Sequence, residues 1–192
     1  MSENTSDLSQ LECKDSAETS HLFYVVSPKK FLILYFSTFG IYRGYWMYKN
    51  WSLYKDKTGE SVWPIPRAIF SIFFVESLFK KVNSNADKNG IKLIFSDKVW
   101  AVAYVITSVI DHISSRLDYK GIAAPYPEYV TFLTFVLLGW IIYKAQVAIN
   151  LSCGDEKGLS NSSFSLANYF WIVMGFIFYS FLIASSLGFL ES

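Results

Sequence analysis

Histidine and cysteine are nearly missing from this chain of 192 residues, which holds two of each: His21, His112, Cys13 and Cys153. Neither cysteine has a second cysteine or a histidine at metal-ligand spacing. The sequence therefore offers no zinc site, no disulfide framework and no cysteine–histidine nucleophile pair. Charge is also scarce, at 17 % of residues against about 25 % in ordinary soluble domains. A net charge of +1 leaves no basic stripe, so nucleic acid is excluded as a partner. There is no glycine-rich phosphate loop, no nucleophile elbow and no HExxH. The loop "CGDEKG" at Cys153 lacks the alternating oxygen ligands of a calcium site. No catalytic set, metal or cofactor is expected, and nothing argues positively for an enzyme. A secretory leader is missing too: residues 1–20 are polar and acidic, without a basic start or an apolar stretch.

What is present is apolar and aromatic. Just over half the residues are hydrophobic and 19 % are Phe, Tyr or Trp, which points toward lipid or its interface. By length the chain is one domain. Residues 1–22 are expected to form a disordered acidic tail, because they offer too little apolar surface to offset the entropy of ordering. Residues 23–192 are expected to form an all-α membrane domain, a polytopic helix bundle.

Five apolar segments divide that domain: Phe31 to about Tyr48, Arg67–Phe79, Val99 to about Ser115, Tyr129–Ile149, and about Ala167–Gly188. A crossing needs about 20 mainly apolar residues. Segments three to five are read as three transmembrane helices, and the first two as a helical pair that crosses or partly inserts. Lysines 80, 81, 88, 92 and 98 follow segment two, whereas the stretch after segment three holds only Arg116 and Lys120. The bias of Lys and Arg toward the cytosol then places loops 80–98 and 150–166 inside and loop 116–128 outside. The N-terminus is cytosolic if the first pair crosses twice or dips in as a hairpin, and external if only segment one crosses.

Three groups of residues are candidates for function. On segment three, Tyr104, Thr107, Ser108, Asp111, His112 and Ser115 recur at helical spacing and form one stripe. An aspartate at mid-bilayer costs about 2.5–3.5 kcal/mol, so the stripe should face other helices or a wet cavity. It reads as a proton or ion relay through Asp111 and His112, as a helix that ends near Ile110 and leaves Asp111 to Arg116 wet at the external surface, or as a stripe that hydrogen-bonds neighbouring helices. Arg43 and Glu76 are candidate buried charges. Glu76 can pair with Lys80 one turn on, and Arg43 would need a partner acid such as Glu76 or Asp111. Small residues form the third group. Gly40 and Gly44 make a G-x-x-x-G pair, and Ser180, Ala184 and Gly188 make a row on segment five; such rows let helices approach closely in lipid.

The stretch "STFGIYRGYWMYKNW", Ser37 to Trp51, resembles the hallmark of a family of small bacterial inner-membrane proteins without an assigned function. In these a T-x-G-(I/L)-Y motif leads into an aromatic Y-W-x-Y-K segment. "PIPRAIFSIFFVESLFKKV" and "NYFWIVMGFIFYSFL" look like later elements of the same proteins. The resemblance implies a multi-pass protein of the bacterial inner membrane and supplies no activity or substrate. Two functions are expected on these grounds. The first is a non-enzymatic membrane protein acting through helix–helix contacts, as an accessory, scaffold or immunity-type partner, with lipid and a membrane-protein partner or second copy as its contacts. The second is a small transporter or channel using the stripe at 104–115.

Overall fold

A computed structural model describes residues 21–186. Most of the expected tail, and Gly188, lie outside the described residues. Within them the protein is all-helical and has no strand. Seven α-helices follow in order: α1 Pro28–Ser37, α2 Tyr42–Thr58, α3 Pro64–Ile69, α4 Ser71–Lys88, α5 Asp97–Tyr119, α6 Tyr126–Ser152 and α7 Leu166–Ser186, with a 3-10 turn at Leu159–Asn161 before the last. They form a helical bundle in which α5 packs on α4 and α6, α2 on α3, and α1 on α6 and α7.

The first apolar segment is two helices rather than one. Ser27 caps the start of α1, its hydroxyl accepting from the Lys30 N–H, and Pro28 occupies a first-turn position where no N–H is needed. Thr38 ends α1 and begins α2. Its hydroxyl donates to the Leu34 carbonyl at 2.8 Å and accepts from the Tyr42 N–H at 3.0 Å. Between these bonds Phe39 and Gly40 take positive φ, +52° and +79°, which reverses the chain into an elbow at 38–41. Gly40 and Gly44 therefore share no helix face: Gly40 sits in the elbow, and Gly44 lies in the first turn of α2 with open space where a side chain would project.

Segment two also breaks, at Phe70, and its second piece runs further than expected. α4 continues through Lys80 and Lys81 to Lys88 because Val82 and Ala86 extend the buried row of Val75, Leu78 and Phe79. Much of the expected loop 80–98 is thus helix. Glu76 is exposed and does not pair with Lys80. The ion pair among the described residues joins Lys81 to Glu60 at 3.0 Å, across α4 and the end of α2. The Tyr54 hydroxyl, with Lys81, holds the Glu60 carboxyl below the usual carboxylate range. Burial works against the Lys81 ammonium, but its bonds to Tyr54 and Glu60 outweigh that and raise its pKa.

α6 is the one described helix long and apolar enough to cross a membrane, and Leu166–Phe181 is a shorter apolar helix. Three crossings were expected; length and apolarity support one. α5 has the length, with 23 residues, but carries Asp97, Asp111, Arg116 and Asp118.

The least foreseeable part of the fold is an extended strap, Phe23–Ser27, threaded between the helices and almost wholly buried. Its backbone groups cannot reach water, so each needs a partner inside. Buried amides supply them. Asn50 accepts from the Tyr24 N–H at 3.1 Å, and Gln146 donates to the Tyr24 carbonyl at 3.0 Å. Asn150 accepts from the Val26 N–H at 3.3 Å and donates to the Val26 carbonyl at 2.9 Å. Asn161 donates to the Val25 carbonyl at 3.0 Å. Gln146 also donates to Asn150 at 2.7 Å and accepts from the Trp46 indole. Lys30, at the start of α1, is only 5 % exposed. Its ammonium donates to Asn161 and to the Ser163 carbonyl.

These contacts define the two ends of the bundle. Asn85 and Asn89 both donate to the Ser152 carbonyl, so the end of α4 meets the end of α6, beside the strap and Asn161. The α5–α6 connection, 120–125, lies at the opposite end. Loops 89–96 and 153–165 thus share one end.

Candidate functional site

The elbow reaches far into the bundle. Phe39 stacks on Tyr179 of α7, with ring centres 4.0 Å apart, and meets Phe178 edge-on. Tyr179 donates to the Phe36 carbonyl at 2.9 Å. Tyr35 stacks on Phe135 of α6 at 5.1 Å and donates to its carbonyl at 2.8 Å. Two glycines make room for this approach. A β-carbon at Gly139 would lie 2.6 Å from the Tyr35 ring, and one at Gly175 would lie 1.9 Å from the Ser37 carbonyl oxygen. Gly139 and Gly175 are the glycines this approach requires, and Gly40 itself lies against Phe135; of the row on α7 only Ser180 and Ala184 are among the described residues. Ser180 is exposed and bonds back to the Phe176 carbonyl, and Ala184 is half-buried.

Above the elbow a cavity of about 550 Å³ lies between α5 and α6, on the side of their connection. Gly40, Ile41 and Arg43 form its floor with Tyr35 and Phe39. Asp111, Ser115 and Asp118 line it from α5; Glu128, Thr131, Phe132, Phe135 and Leu138 line it from α6. Asp111 accepts from Thr134 at 2.7 Å. Burial pushes the Tyr35 phenol above its ordinary pKa, and the Arg43 charge acts against that. The Arg43 guanidinium stands 5.8 Å from the Tyr104 ring centre, in the range of a cation–π contact.

The stripe on α5 is thus partly assembled. Tyr104, Thr107 and Ser108 are buried against neighbouring helices. Tyr104 hydrogen-bonds Ser71 at 2.8 Å, and the Ser108 hydroxyl is buried without a protein partner. Asp111 is half-buried and Ser115 exposed, and both line the cavity; His112 is exposed and does not. A relay through adjacent Asp111 and His112 is therefore not brought together, whereas Asp111 and Arg43 line the same cavity. Sequence reasoning missed Asp118 and Glu128. Asp118 carried a signal: positions 111, 115 and 118 continue the same helical spacing. Glu128 carried none, because its place depends on how the α5–α6 hairpin closes. Among the described residues, no group of three or more His, Cys, Asp and Glu side chains converges as a metal site.

No protein-family model matches the chain, and neither does any curated protein or solved structure.

Proposed function

We propose that this is a non-enzymatic, multi-pass protein of the bacterial inner membrane whose cavity takes up a small ionic solute, as part of a channel or transporter. The observation that carries this reading is that Arg43 and Asp111, charges of opposite sign, line one cavity floored by irregular backbone. At membrane depth, non-helical backbone is tolerated where it is buried in protein or lines a wet cavity, and binding sites of transporters use interrupted helices in this way. The membrane environment is supported by α6 and by the outward faces of its neighbours. Val102, Ile106, Val109 and Ile113 on α5, Leu133, Val136, Leu137 and Trp140 on α6, and Phe170, Val173, Phe176 and Ile177 on α7 are all exposed. Apolar surface this extensive calls for lipid or protein cover.

In this reading α5, α6 and α7 cross, and the α1–α2 elbow dips in from the cytosolic side without crossing. Impermeant thiol labelling of intact cells tests the arrangement, with both native cysteines replaced by serine; burial pushes the Cys153 thiol up, which makes it a poor reporter. A cysteine at exposed Lys120 should label and one at exposed Lys157 should not. The reverse pattern, or labelling at both, would overturn the topology.

Ion handling is tested by reconstitution into liposomes. Proton or monovalent-ion flux should appear and should fall about tenfold in Asp111→Asn, the effect of losing roughly 1.4 kcal/mol of interaction. Flux that survives this change, or no flux at all, counts against the reading. Helix–helix recognition of a partner protein remains a second reading, favoured by the outward position of Ser180 on α7; its sign would be stable co-purification of a membrane partner lost in Ser180→Leu.

A further inference from the structure

The cavity is not evenly charged, and its lining narrows the kind of solute. Three carboxylates, Asp111, Asp118 and Glu128, face one guanidinium, Arg43. With a formal excess of negative charge, the cavity attracts cations and repels anions. The three carboxylates form no metal-holding group with one another or with a histidine, and a small divalent ion needs its oxygen ligands gathered within about 2.0–2.6 Å. The rest of the lining is mostly apolar, and Phe39, Phe132, Phe135 and Tyr35 give it an aromatic part. Ring faces are poor partners for a tightly hydrated metal ion and good partners for an ammonium dressed in carbon.

We infer that the solute of this cavity is a small organic cation, an ammonium with apolar substituents. Its charge sits toward Asp111, and its substituents lie against Phe132 and Phe135. This rests on the proposed reading of the cavity as a solute site. Arg43 then has a defined role: it is the positive charge of the lining and opposes the cation when one enters. Phe132 is 68 % exposed, which leaves its ring available to a bound molecule.

The test uses the full chain in lipid nanodiscs and radiolabelled tetraethylammonium as the probe. Saturable binding is expected. Asp111→Asn should weaken it about tenfold, and Phe132→Leu about threefold, the size of a surface cation–π contact. Arg43→Gln should strengthen it, because it removes a like charge; an anion site or a zwitterion site would lose affinity there. Glu128→Gln, at an exposed position, repeats the carboxylate test without the folding demands of Asp111. Unchanged binding in both carboxylate variants, or weaker binding in Arg43→Gln, overturns the inference. A cysteine at Ser115 separates the two levels of the argument. If an aqueous thiol reagent labels it and tetraethylammonium gives no protection, the organic-cation class fails while the cavity stands. If the reagent does not reach it, the cavity is closed to water, and both this inference and the solute reading fail.

Discussion

Asn150→Leu is expected to unfold the protein at a much lower temperature, although leucine matches asparagine closely in size and suits an apolar bundle. Asn150 is fully buried and spends both ends of its amide on the strap. It holds the Val26 N–H and the Val26 carbonyl, and its oxygen also accepts from Gln146. Leucine would leave the Val26 N–H, the Val26 carbonyl and one Gln146 N–H buried and unpaired, while Gln146 keeps its bond to the Tyr24 carbonyl. Each costs about 1–3 kcal/mol when stranded, so the loss should be at least about 3 kcal/mol against a total stability of about 5–15 kcal/mol. Asn150→Asp sharpens the test, because a carboxylate keeps the shape and the acceptor but cannot donate to the Val26 carbonyl. It should be nearly as damaging. Unfolding in detergent, followed by denaturant or heat, reads the effect, and hydrogen exchange at the Val26 amide locates it. A loss below about 1 kcal/mol, the net worth of one ordinary hydrogen bond, would show that the strap is not held this way.

The strap also marks where reading the sequence stops. A run of apolar residues is a local signal, and it located α5 and α6 to within four residues of their ends and the start of α7 to within one. Partnership between Val26 and Asn150 spans 124 positions. Before folding, Asn50, Gln146 and Asn150 look like polar residues near the ends of apolar runs, where water would satisfy them. Nothing in their neighbours says that a buried strand of backbone will lie across them. The elbow is an intermediate case. Its apolar run from Phe31 to Tyr42 hides a reversal, yet the Thr38 and Gly40 that make it are both visible. A threonine able to cap, followed by a glycine able to take positive φ, is a stop-and-start signal; hydrophobicity outweighed it. The cavity was half legible in the same sense. A polar stripe on α5 and a lone arginine at 43 were each apparent, and their meeting depended on the unseen elbow. Glycine spacing misled for a physical reason: G-x-x-x-G marks a packing face only if both residues stay in one helix, and Gly40 does not.

Gly175→Ala is the second large expected effect, and its sign opposes what the helix alone would give. In a helix, alanine is favoured over glycine by about 1 kcal/mol, so this change would stabilise an unpacked α7. In the bundle a β-carbon at this position would lie 1.9 Å from the Ser37 carbonyl oxygen and 2.8 Å from its carbon. Both are backbone atoms, so no side-chain rotation relieves the overlap, and α7 must separate from α1. Overpacking of this kind costs about 1–3 kcal/mol and sometimes more; a backbone clash belongs at the upper end, at about 3 kcal/mol. Gly44→Ala supplies the contrast. Open space lies around a β-carbon there, and the change should stabilise by about 0.5–1 kcal/mol. Opposite signs at the two glycines, measured by unfolding in the same detergent, would be the signature of a chain whose close packing is internal and concentrated at α1–α7. Equal and favourable signs would mean that α7 does not rest on α1. The consequence extends to the site, because α7 fixes the depth of the elbow through Phe39, Tyr179 and Gly175 together. Pushing α7 away should lower the floor of the cavity and move Arg43 relative to Asp111, so Gly175→Ala should weaken solute binding without touching a residue that lines it.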